Sequence, residues 1–164
     1  MSMRRFCAAN GREAPREAAQ FIVNLMVSER KTAMKAKEIM SKPVLATTPR
    51  ASLRDIATQL VVNSISGMPV ADRKGTVLGI VTEADVLEAV KDGQQLEKLT
   101  ATEVMSKSPV TVDVEVAIEE VIKLLVEEGF VRVPVTENGK LVGIISRVDV
   151  IKSILEPEFM TFGA

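Results

Sequence analysis

The chain has 164 residues, 46% hydrophobic and 3% aromatic, with a formal net charge of −1, one cysteine and no histidine. A lone Cys7 excludes an internal disulfide, and without histidine no zinc cluster, Ser/His/Asp triad or Cys/His pair can be assembled. The small net charge hides an asymmetry, +4 over residues 1–36 (seven Lys/Arg, three Glu) and −5 over residues 37–164 (fourteen against nineteen), and an acidic body argues against nucleic acid as the main partner.

Residues 1–36 read as an extension. Met1 to Asn10 holds no apolar core of a secretion signal. Phe21–Val23 and Leu25–Val27 are split by Asn24, far short of the roughly 20 residues of a membrane span, so the expected location is the cytoplasm, with no membrane contact. Pro15 suits a first helical turn, and Ala18, Phe21, Ile22, Leu25 and Met26 give an apolar stripe. An amphipathic helix from Pro15 to about Ala33 is predicted, for packing, dimer contact or a partner protein. Met34 is an alternative starting point for the module that follows.

From residue 37 onward the chain is a duplication. Lys37-Glu-Ile-Met-Ser-Lys42 answers Thr102-Glu-Val-Met-Ser-Lys107; Gly67-Met-Pro-Val70 answers Arg132-Val-Pro-Val135; Gly79-Ile-Val-Thr-Glu-Ala-Asp85 answers Gly143-Ile-Ile-Ser-Arg-Val-Asp149. Three landmarks in the same order divide the chain into an extension (1–36), a first repeat (37–98) and a second (99–164). In each repeat a turn at Glu-Ile/Val-Met-Ser-Lys precedes a short extended piece, Val44–Ala46 or Val110–Val112, which Pro43, Pro49 and Pro109 keep from turning helical. Leu53, Ile56, Ala57, Leu60 and Val61, and Ile118, Val121, Ile122 and Leu125, then recur at helical spacing. Two strands follow, Met68–Val70 with Thr76–Val81 and Val131–Val135 with Leu141–Ile145. Asn138-Gly139 between the second pair is a hairpin signature. A second helix closes each copy, Ala84–Val90 or Val148–Leu155. The fold class is α/β, two β-α-β-β-α units of about 55 residues, each too small to stand alone and so packed as a pair.

The hydroxyl and carboxylate of Thr82-x-x-Asp85 and Ser146-x-x-Asp149 fall where a strand passes into a helix. One reading is an N-cap, with the acid at the third position reaching back as in a capping box. The other is a ligand site, since a helix N-terminus presents unpaired N–H groups to phosphate and a short carboxylate can accept both hydroxyls of a ribose. The two roles are compatible, and capping alone leaves the shortness of both acids unexplained.

Taken together, Glu-Ile/Val-Met-Ser-Lys, x-x-Pro-Val and Gly-h-h-Thr/Ser-x-x-Asp resemble a tandem pair of cystathionine β-synthase (CBS) domains, a Bateman module, over residues 37–155. The resemblance implies two domains joined through their sheets about a pseudo-twofold axis, with two clefts for adenosyl ligands such as AMP, ADP, ATP, S-adenosylmethionine or NAD(H). It implies that Asp85 and Asp149 hold ribose and that Thr82 and Ser146 contact ribose or phosphate. The base would lie against apolar residues and backbone near Val44, Met68, Pro69 and Ile80 in one cleft and near Val110, Val133, Pro134 and Ile144 in the other, although for each of these apolar residues taken singly plain core packing is the more ordinary account. Thr47 and Thr48 stand where such modules often touch the nucleoside. Arg132 and Arg147 flank the second repeat's motifs, whereas Gly67 and Glu83 stand at the matching places of the first, so a phosphate-rich ligand is expected to favour the second cleft; solvated arginines are the alternative.

The leading reading is a regulatory module, not an enzyme, that senses an adenine nucleotide and acts through a homodimer or an unidentified protein. It needs no cofactor or metal. A rival is a protein-interaction scaffold with empty clefts. An enzyme using Asp85 and Asp149 as acid and base lacks any further group to complete a catalytic set.

Overall fold

A computed structural model describes residues 34–159, and side chains as far as Leu155; the predicted helix from Pro15 to Ala33 and the extension it belongs to lie outside the described residues. The elements in chain order are α1 (Ala36–Ile39), α2 (Leu53–Val62), β1 (Gly67–Ala71), β2 (Val77–Thr82), α3 (Glu83–Lys91), α4 (Ala101–Val104), β3 (Ser106–Lys107), β4 (Val112–Asp113), α5 (Ile118–Glu127), β5 (Arg132–Glu137), β6 (Lys140–Ser146) and α6 (Arg147–Phe159). Among these, no helix is long and apolar enough to cross a membrane.

Local chemistry explains most boundaries. The Ser52 hydroxyl accepts the Asp55 N–H at 3.1 Å and opens α2, which buries Leu53, Ile56 and Leu60 along one stripe; α5 does the same with Ile118, Val121 and Leu125. Asn138 and Gly139 both take positive φ, 51° and 74°, the backbone of a tight hairpin turn between β5 and β6. Two expectations shift. The predicted extended pieces at Val44–Ala46 and Val110–Val112 enter their sheets later, at Thr47, which bridges Val70, and at β4 beside β5. The Glu-Ile/Val-Met-Ser-Lys segments, expected as turns, begin as single helical turns, α1 and α4, before Ser41 and Ser106 become sheet edges.

There are two three-stranded sheets, β1-β2-β3 and β4-β5-β6, and their edges are exchanged. β3 begins the second repeat yet pairs with β2 of the first, Lys107 opposite Gly79 and Ser106 opposite Ile80. Reciprocally, Ser41 of the first repeat pairs with Ile144 of β6. The cores follow the same crossing: Ala36 is fully buried with Val121, Val133, Val135 and Ile145, and Ala101 with Leu53, Met68, Val70 and Val81. The packed units therefore differ from the sequence repeats, because each lead-in segment completes the other unit. This mutual completion ties two undersized cores into one body.

Candidate functional site

Each strand-to-helix junction has a capping box with an aspartate as its acid. Asp85 Oδ2 accepts the Thr82 N–H at 2.6 Å and the Thr82 hydroxyl at 2.7 Å. Asp149 Oδ2 likewise accepts the Ser146 N–H at 2.7 Å and the Ser146 hydroxyl at 2.5 Å, and the Asp149 N–H reaches the Ser146 Oγ at 3.3 Å. An aspartate side chain suffices because the N–H and hydroxyl donors lie only three residues back. The capping reading is thus realised in both repeats. One difference separates them: the Ser41 hydroxyl donates to Asp149 Oδ1 at 2.8 Å, and no matching bond joins Ser106 to Asp85.

Beside Thr82 lies a groove of about 510 Å³, framed by both repeats. The first contributes Ser66, Ile80 and Thr82–Ala84; the second contributes Ser106–Val110 and Gly129–Arg132. Ile80, Val110 and Phe130 supply apolar surface, Lys107 and Arg132 positive charge, Glu83 a negative one. Arg132 stands opposite Ser146 in its own sheet, but its guanidinium crosses to the first repeat, donating to the Gly67 carbonyl at 2.6 Å and the Ser66 hydroxyl at 2.5 Å. Burial lowers its pKa from the usual arginine value, against the pull of Glu83 and Asp149, which favour the charged form; an arginine stays protonated regardless.

Of the residues singled out in the sequence, Thr82, Ile80, Val110 and Arg132 meet in this groove, and Asp85 is half-buried on the same helical turn as Thr82. Thr47, Thr48 and Met68 line a separate depression of about 340 Å³ with Asp55 and Gln59. Val44 lines neither hollow. Pro69, Val133 and Pro134 are fully buried and line neither hollow. Ile144, half-buried, is the second repeat's counterpart of Ile80 and is paired with Ser41.

The arginine expectation needs correction. Arg132 faces the first repeat's groove. Arg147 lines neither hollow: its Nε donates to the Phe130 carbonyl at 2.8 Å and its Nη2 to the Leu125 carbonyl at 3.0 Å, closing the C-terminal end of α5. Lys107, Ser41 and Phe130 were missed. Lys107 and Ser41 belong to the repeated Met-Ser-Lys element, but their position at the opposite repeat depends on the crossing of the lead-in segments, for which no local signal exists.

The CBS domain family model matches residues 36–92 and 101–156. Uncharacterized protein MK0525 of Methanopyrus kandleri is 29% identical over 117 residues, 70% of this chain and 60% of that protein. The A-adding tRNA nucleotidyltransferase of Aquifex aeolicus is 24% identical over 85% of this chain, which spans only 17% of the enzyme's length. Among solved structures, CBSX2 in complex with AMP, a CBS domain-containing protein of Arabidopsis thaliana, is 28% identical with a TM-score of 0.68, covering 76% of this chain and 98% of that one. With both repeats matched and the fold shared, the chain belongs to the CBS domain family, as a tandem pair.

Proposed function

We propose that the chain is a regulatory module, without catalysis of its own, that binds an adenosyl ligand in the groove between Thr82 and Lys107. The observation that carries this is the convergence, in one groove shared by both repeats, of a capped helix N-terminus, two cations and an apolar wall. A phosphate meets Lys107 and Arg132 beside the first turn of α3; the ribose hydroxyls meet Asp85; the base lies against Ile80 and Val110. AMP is the first candidate because it is bound by CBSX2, a relative of similar fold. Because the groove walls come from different repeats, a ligand that prefers one arrangement of them shifts their relative position, which is how binding would reach a partner.

The exposed apolar helix faces support a homodimer. Val61, Val62, Leu87 and Val90 on α2 and α3, and Val126, Val148 and Ile151 on α5 and α6, are all more than half exposed, a patterned apolar surface that pairing would cover. We place the protein in the cytoplasm on composition alone. Displacement of a fluorescent adenine nucleotide tests the ligand class: AMP, ADP, ATP, S-adenosylmethionine or NADH should compete and GTP should not. Failure of every adenosyl compound to bind would leave the interaction-scaffold reading in its place.

A further inference from the structure

The two strand-to-helix junctions carry the same Ser-Lys lead-in and the same hydroxyl-x-x-Asp box, yet their aspartates differ in hydrogen bonding. Ser41 is held against β6 by two backbone hydrogen bonds, its N–H to the Ile144 carbonyl at 2.8 Å and its carbonyl to the Ile144 N–H at 3.2 Å. From there its hydroxyl donates to Asp149 Oδ1 at 2.8 Å. Both carboxylate oxygens of Asp149 are therefore engaged, Oδ2 by Ser146 and Oδ1 by Ser41. Asp85 carries only the Thr82 bonds, both on Oδ2, and Oδ1 accepts no hydrogen bond from the described residues.

A second difference points the same way. In the first repeat proline follows the Ser-Lys pair directly, as Lys42-Pro43; in the second an extra residue intervenes, Lys107-Ser108-Pro109. Ser108 has a φ of 55°, and the lengthened segment Ser106–Val110 forms one wall of the groove beside Thr82. The inserted residue thus lies in the wall on the Asp85 side, where one carboxylate oxygen, Oδ1, accepts no hydrogen bond from the described residues.

We infer that Ser41 is an internal stand-in for a ribose hydroxyl at Asp149, so that the chain binds one adenosyl ligand first, in the Asp85 groove, and the Asp149 cleft fills only when Ser41 is displaced. A serine hydroxyl and a ribose hydroxyl are the same kind of donor, and a carboxylate oxygen already bonded to one gains less from the other. This inference rests on the adenosyl-ligand reading. It also reverses the preference for the second cleft that the arginines imply in the sequence.

Calorimetric titration of the full chain with AMP separates the outcomes. The wild type should bind one AMP per chain tightly, and Asp85→Ala should lose that event. Ser41→Ala should strengthen a second event by about tenfold, the scale of one charge-assisted hydrogen bond. The decisive variant is the double one: Ser41→Ala with Asp85→Ala should regain a single AMP site that Asp85→Ala alone lacks. Ser41 is exposed and holds β6 through its backbone, so alanine keeps the edge pairing; a crystal of the wild type grown with AMP gives an independent reading, with density expected beside Asp85 alone. Two equal sites in the wild type, or no gain in either Ser41 variant, would overturn this inference while leaving the ligand class intact. Absence of AMP binding in every form would overturn both.

Discussion

Met105 lies across Gly79, and Met40 lies across Gly143, so the Glu-x-Met-Ser element of each repeat is the lid on the other repeat's Gly-h-h-Thr/Ser strand. A Cβ at Gly79 would stand 2.6 Å from the Ser106 carbonyl oxygen and 2.7 Å from Met105 Cγ, and one at Gly143 2.8 Å from Met40 Cγ. The glycines are there for close approach, both with ordinary backbone angles. Two of the three repeated landmarks are therefore complementary surfaces of one joint.

Gly79→Ala should be the costlier of the two substitutions. Its methyl meets the backbone of β3, which cannot move without breaking the pairing at Lys107 and Ser106, whereas the neighbours at Gly143 are all atoms of the flexible Met40 side chain. Overpacking of this kind costs about 1–3 kcal/mol, so the thermal midpoint should fall by roughly 2–10 °C for Gly79→Ala and by less for Gly143→Ala. Differential scanning calorimetry of both variants checks the order; an equal or reversed ranking would contradict it.

This joint shows what was and was not legible in the sequence. Helical spacing at Leu53, Ile56 and Leu60, and the Asn138-Gly139 turn, are local signals, and they specify α2 and the second hairpin directly. The duplication gives the pairing of two units. The crossing of the lead-in segments is not encoded locally: Ala36 and Ala101 are small apolar residues anywhere, and only the filled cores say that each belongs to the other unit. The same crossing shapes the groove. It brings Lys107 to Thr82, whereas the short reach from Arg147 to the Phe130 and Leu125 carbonyls removes an arginine that the sequence offers to phosphate.

Acid sensitivity should concentrate at the α1 lead-in. Glu115 accepts from Lys35 and Lys37 at 2.5 Å each, and these bonds pull its carboxyl from 4.5 to about 2. With the folded-state value depressed, the contribution is complete above about pH 4.5 and disappears as pH falls towards 2. Lys37 is raised above its usual value by the same bond, in keeping with that direction. Urea midpoints at pH 6 and pH 3 should fall further in the wild type than in Glu115→Gln, and 1 M salt should narrow the gap because all three groups are exposed. Equal losses would contradict the pairing.

Lys107→Ala should discriminate phosphate from nucleoside. With Lys107 lining the groove and in no ion pair among the described residues, its loss should weaken AMP by about tenfold and leave adenosine nearly unchanged. Competition binding with both compounds measures the two ratios; an equal loss for each would place Lys107 away from the phosphate.

Leu87→Asp and Val61→Asp should break the proposed dimer without unfolding the chain. Both side chains are solvent-exposed, at 68% and 79%, so a charge there disturbs no core, but it would be buried unpaired in a helix-to-helix interface, an effect of several kcal/mol. Sedimentation equilibrium should give a dimer for the wild type and the 17.8 kDa monomer for the variants. A wild-type monomer, or variants that still pair, would rule out these faces.

The most direct test is the thermal midpoint of the wild type and of Asp85→Ala with and without AMP. At a hundred times its dissociation constant a ligand stabilises the fold by about 2.7 kcal/mol, several degrees for a chain of this length. A rise of that size in the wild type, absent in a folded Asp85→Ala, is the predicted result. A wild-type midpoint that no adenosyl compound moves, or a rise that survives in Asp85→Ala, would contradict nucleotide binding in the Thr82–Lys107 groove.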